Sequence, residues 1–153
     1  MTSLLTAFEE NSARFTGRLA AAGEVQALQR LPRVPDWLPA VFLKYPLIGT
    51  YLSLSQEGDL SGLGVELRWM TPAHVVEEAT EFEPGMSIPT EAFIPIGSCA
   101  EGSGDPYFLD LRNGSDDPAV VRIPHDHAGQ GDYPLDKVER VSDSLSDFLR
   151  RSA

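Results

Sequence analysis

The chain is short of the features that would place it at once. It has one cysteine, Cys99, in 153 residues, so no intramolecular disulfide can form and a reducing compartment is expected. No run of about 18 apolar residues occurs, which excludes a membrane-spanning helix. The opening Met1-Thr2-Ser3-Leu4-Leu5 has no basic flank, and Glu9 and Glu10 soon interrupt it. A secretory leader is therefore not expected, and the reading is cytoplasmic. Cations are scarce too. Twelve Lys and Arg face twenty-three Asp and Glu, a formal net charge of −11.

That charge is unevenly spread. Residues 1–50 carry five basic and four acidic groups, and residues 51–153 carry seven and nineteen. A surface of this sign repels phosphate backbones, which argues against direct nucleic-acid binding. It attracts a basic partner and speeds the encounter.

What is present centres on Phe93–Leu111. Two short apolar runs, Phe93–Ile96 and Tyr107–Leu111, flank a glycine-rich acidic turn and read as a hairpin. Asp110 interrupts the second run and should point away from the side that Leu109 and Leu111 face. Leu4, Leu5, Phe8, Phe15 and Leu19 return to one helical face, Gly23 ends that helix, and Glu24–Leu31 reads as a second. The Pro-bounded run from Asp36 to Tyr45 predicts a helix that Pro46 stops. Ile48–Leu54 and the alternating Val65–Trp69 predict strands. Thr71-Pro72 is an N-cap followed by an N1 proline, opening a helix to about Glu81 with Val75, Val76 and Ala79 inward. Glu83–Glu91 reads as a polar loop, Asn113–Asp117 as a turn, Ala119–Ile123 as a strand and His125–Pro134 as a loop. Val141, Leu145, Phe148 and Leu149 form a helical stripe that predicts a closing helix from Ser142 or Asp143 onward. The whole is a single α+β domain, with a mainly antiparallel sheet packed by helices.

No complete catalytic motif appears. Gly97 and Gly102 have phosphate-loop spacing, but Ser103 stands where the lysine is needed. Cys99 has Glu101 and Asp105 nearby, which disfavour its thiolate. His125 and His127 with Asp105 or Asp110 could hold a metal for a hydrolase, although no third ligand has a diagnostic spacing. Glu101, Asp105 and Asp110 lack a perturbing neighbour for acid–base work. Trp37 and Trp69 sit in periodic apolar settings and read as core.

The order of several pieces resembles the SUKH superfamily, in its Smi/Knr-type branch. The pieces are Val34-Pro35-Asp36-Trp37 leading to Phe42-Leu43-Lys44-Tyr45, then Ile94-Pro95-Ile96-Gly97, Gly104-Asp105 and Tyr107-Phe108-Leu109-Asp110-Leu111. Val120-Val121-Arg122 through His125-Asp126-His127, and the closing Val141–Leu149, complete the set. Pro46-Leu47 after Tyr45, and Pro118-Ala119 before the late strand, depart from the family's glycine-containing turns. The resemblance covers about residues 31–150, leaving 1–30 as an N-terminal helical extension before a SUKH-like domain at 31–153.

The resemblance implies an α+β domain without catalysis or cofactor. It implies a protein partner, with bacterial members looking like immunity proteins against toxins, often nucleases, and fungal relatives like regulators and scaffolds. The acidic balance independently suits a basic toxin domain. The candidate contact residues are Glu101, Asp105, Asp116, Asp117, Glu77, Glu78 and Glu81, the last three from the acidic 77–83 segment. An intracellular regulatory scaffold is the alternative.

Overall fold

A computed structural model describes residues 3–100, 104–129 and 131–153. Helix α1 spans Ser3–Glu10, α2 Ala22–Val25, α3 Trp37–Lys44, α4 Pro72–Thr80 and α5 Leu145–Arg151. Strands β1 Tyr51–Leu54, β2 Val65–Trp69, β3 Phe93–Cys99, β4 Tyr107–Asp110, β5 Ala119–Arg122 and β6 Glu139–Ser142 form one antiparallel meander in chain order. The expected α+β architecture is the observed one.

The sheet is covered on both faces, which explains why β4 and β5 are buried at every residue. Ile94, Leu109 and Val120 lie side by side and face the large core under the helices. Phe93, Phe108 and Val121 face the other way into a smaller core with Ile88, Ile123 and Tyr133. Pro95 cannot donate to a ladder, and it sits where the register shifts between Pro95 and Gly97, the irregularity at which a strand tolerates proline. The sheet curls enough for the Leu60 amide, beyond β1, to donate to the Val141 carbonyl of β6 at 3.0 Å.

α1 buries Leu4, Ala7 and Phe8, spaced for one helical stripe. It ends earlier than the periodicity predicts. The Asn11 side chain donates to the Ala7 carbonyl at 2.8 Å, Phe15 is extended, and Leu19 is exposed. Residues 16–20 instead run beside 46–48: the amides of Gly17 and Arg18 donate to the carbonyls of Pro46 and Ile48, each at 3.0 Å. A Cβ at Gly17 would stand 2.0 Å from the Ile48 carbonyl oxygen, so this approach requires glycine. Gly23 lies inside α2 rather than ending a helix. Phe8 stacks on Tyr45 at 5.7 Å and meets Trp69 edge-on at 6.3 Å. Leu4, Ala7, Phe8, Phe15, Ala20 and Leu28 therefore share one core with the rest.

α4 follows its sequence signals closely. Thr71 Oγ1 accepts from His74 N at 3.0 Å, and Val75, Val76 and Ala79 are buried. The closing helix is shorter than its stripe predicted. Val141 belongs to β6, and α5 starts after Ser144, whose side chain accepts from the Asp147 amide at 3.1 Å. Pairing with β5 outweighs the helical spacing there.

Candidate functional site

At the end of the sheet where β4 begins and β5 ends, a cleft of about 550 Å³ opens. Tyr107 and Arg122 are cross-strand partners at its floor. The 55–64 connection brings Asp59 and Ser61 across them. Arg122 is buried; its guanidinium donates to Asp59 Oδ2 at 3.2 Å, the Gly64 carbonyl at 2.6 Å, Ser61 Oγ at 2.9 Å and Glu139 Oε1 at 3.4 Å. It also lies 5.3 Å from the centre of the Tyr107 ring. A buried cation is tolerable only when paired and hydrogen-bonded in this way. Burial pushes the Tyr107 phenol up, although the Arg122 guanidinium opposes the shift.

The walls are acidic. Glu66, Asp105, Asp126 and Glu139 line the cleft beside Cys99 and His127. Glu139 and Asp105 are engaged, the first with Arg122 and the second with His125. Glu66 and Asp126 form no ion pair among the described residues.

The sequence-predicted residues fall in separate places. Asp105 reaches across to the end of β5, accepting from both the backbone amide and the ring Nδ1 of His125 at 2.9 Å. Glu101 lies outside the described residues. Asp116 is exposed at the far end of β5, beside a second concavity. Asp117 is committed to structure, holding the first turn of α5 by accepting from the Ser146 amide at 2.9 Å and its hydroxyl at 2.5 Å. Glu77 and Glu81 are exposed on and just after α4. Glu78 is more enclosed, 3.8 Å from His74 Nε2. Burial raises its carboxyl above the usual range, and His74 and His125 partly offset this.

The histidine pair does not converge on a metal geometry. His125 binds Asp105, His127 meets the Tyr133 ring edge-on at 6.4 Å, and Asp110 lies at the opposite end of β4, bound to Arg112 at 2.8 Å. Among the described residues no group of three or more His, Cys, Asp or Glu is placed to hold a metal ion. Asp110 does face away from Leu109 and Leu111, as expected; it is buried because the second face is covered as well. Trp69 is core, with its Nε1 unpartnered among the described residues, whereas half-buried Trp37 donates to the Ser115 carbonyl at 2.7 Å.

Sequence reasoning missed Asp59, Glu66, Arg122 and Glu139. Arg122 carried a signal, being a cation inside the apolar run Ala119–Ile123; a strand buried on both faces must supply its counter-ion from elsewhere.

No helix among the described residues is long and apolar enough to cross a membrane. Comparison with family models, with curated proteins and with solved structures found no match.

Proposed function

We propose that this chain is a non-enzymatic binding protein of the immunity type, which neutralises a basic bacterial toxin domain through its acidic side. One observation carries the reading: the cation on the floor of the cleft is already neutralised from within, while Glu66 and Asp126 on its walls have no ion-pair partner among the described residues. Their carboxylates suit lysine or arginine side chains of a partner, or would stand where phosphates sit in a nuclease. The resemblance in motif order to SUKH proteins and the excess of acid after residue 50 support the same reading.

The test is co-expression with the C-terminal domain encoded by the adjacent upstream reading frame, read by pull-down and growth rescue. A stoichiometric complex that restores growth is expected. The double variant Glu66→Lys/Asp126→Lys should slow association and flatten its salt dependence. No complex and no rescue would remove the immunity reading.

A further inference from the structure

The irregular chain over the second face of the sheet leaves a groove of about 500 Å³. Met86, Ile88 and Pro89 form one wall, and Tyr133 and Leu135 the other. Met86 is 54% exposed and Leu135 40%. Phe82, whose carbonyl accepts from the Met86 amide at 2.9 Å, is 51% exposed. Single exposed apolar side chains are ordinary, but a group of large ones around one concavity marks an interaction surface.

Carboxylates outnumber cations in the two segments that form this groove. Glu91 and Asp132 line it. Residues 81–91 contain no cation, and residues 131–138 contain only Lys137 against Asp132 and Asp136. The apolar depression between α1 and α3 differs, because its rim holds Glu9 and Lys44 3.9 Å apart and is already balanced.

We infer that the groove docks a segment of a protein partner carrying a large apolar side chain flanked by lysine or arginine. Met86 and Leu135, the exposed apolar side chains of the lining, take the side chain, and Glu91 and Asp132 select the flanking cations. A second copy of this chain would bring an acidic rim against an acidic rim, and an anionic membrane would meet the same repulsion. The groove and the acidic cleft are linked by one contact: Pro124, Asp126 and His127 line the cleft, Asp132, Tyr133 and Leu135 line the groove, and Tyr133 Oη donates to the Pro124 carbonyl at 2.7 Å. The inference deepens the proposed function and rests on it only for the existence of a basic partner.

The experiment is an NMR titration of the full chain with a synthetic peptide of alternating lysine and leucine. Lysine/serine and glutamate/leucine peptides of equal length serve as controls. Saturable shifts at Met86, Ile88, Tyr133 and Leu135 are expected. The lysine/serine peptide should bind on the order of tenfold more weakly, and the glutamate/leucine peptide not at all. Met86→Ala and Leu135→Ser alter half-exposed side chains; each should weaken binding several-fold with the melting temperature unchanged. Shifts confined to Glu66 and Asp126, equal binding of the lysine/serine peptide, or self-association through the groove would overturn the assignment. A toxin domain that binds Met86→Ala undiminished removes the groove while leaving the immunity reading intact. A saturable groove with no toxin domain bound does the reverse.

Discussion

One face of the sheet is covered by helices and the other by irregular chain, and the two covers close in different ways. Under the helices, Phe8, Phe42, Trp69 and Phe148 are fully buried in contiguous packing. A helix satisfies its own backbone, so its side chains are free to pack. The irregular cover must find partners for its backbone. Tyr133 N donates to the Ser87 carbonyl at 2.9 Å, Tyr133 Oη donates to the Pro124 carbonyl at 2.7 Å, and Ser87 Oγ donates to the Glu83 carboxylate at 2.6 Å. Fewer apolar groups remain to turn inward, and Met86 and Leu135 stay in solvent. The helical side builds stability, and the irregular side presents chemistry.

The contrast predicts a graded set of losses. Phe8→Ala should cost the most, about 3–5 kcal/mol, because it opens a hole among Phe15, Tyr45 and Trp69. A denaturant melt measures it, and a loss under about 1 kcal/mol would mean that α1 is not an integral part of the core. Gly85→Ala comes next. Its Cβ would lie 1.8 Å from the Glu78 carbonyl oxygen, a backbone atom that cannot swing away. A loss of about 3 kcal/mol is expected, and a neutral result would show that the irregular cover is not fastened to α4.

Glu78→Gln is the smallest change, within about 1 kcal/mol. A carboxyl raised on folding gives stability that is complete below its unfolded pKa and is lost as pH rises through its folded one. The variant should therefore melt slightly higher than the parent at pH 7, and the gain should vanish as pH falls below the ordinary carboxylate range. A gain that persists at low pH would place its origin elsewhere.

Much of the helical side was legible in the sequence. Thr71-Pro72, the alternation of Val65–Trp69 and the two runs of the central hairpin each state a local preference that the fold keeps. Other features depend on distant partners. β6 contains one apolar residue, Val141, whose spacing to Leu145 and Phe148 imitates a helix until β5 pairs with it. Asp59 and Arg122 are 63 residues apart, and nothing local in the acidic glycine-rich turn announces a buried ion pair. The predicted acidic residues divide for the same reason: Asp117 is drawn into capping α5, whereas Asp105 reaches the cleft. Met86 and Leu135 have no mutual periodicity, because 3₁₀ turns at Gly85–Ser87 and Leu135–Lys137 bring them together.

The central claim is that partners meet the irregular chain around the cleft and the groove and not the helices. Hydrogen exchange on the complex with the co-expressed basic domain tests it most directly. Slowed exchange at residues 82–91 and 124–138, with α1, α3 and α5 unchanged, is the predicted result. Protection over α1 and α3, with those two segments unaffected, would contradict it.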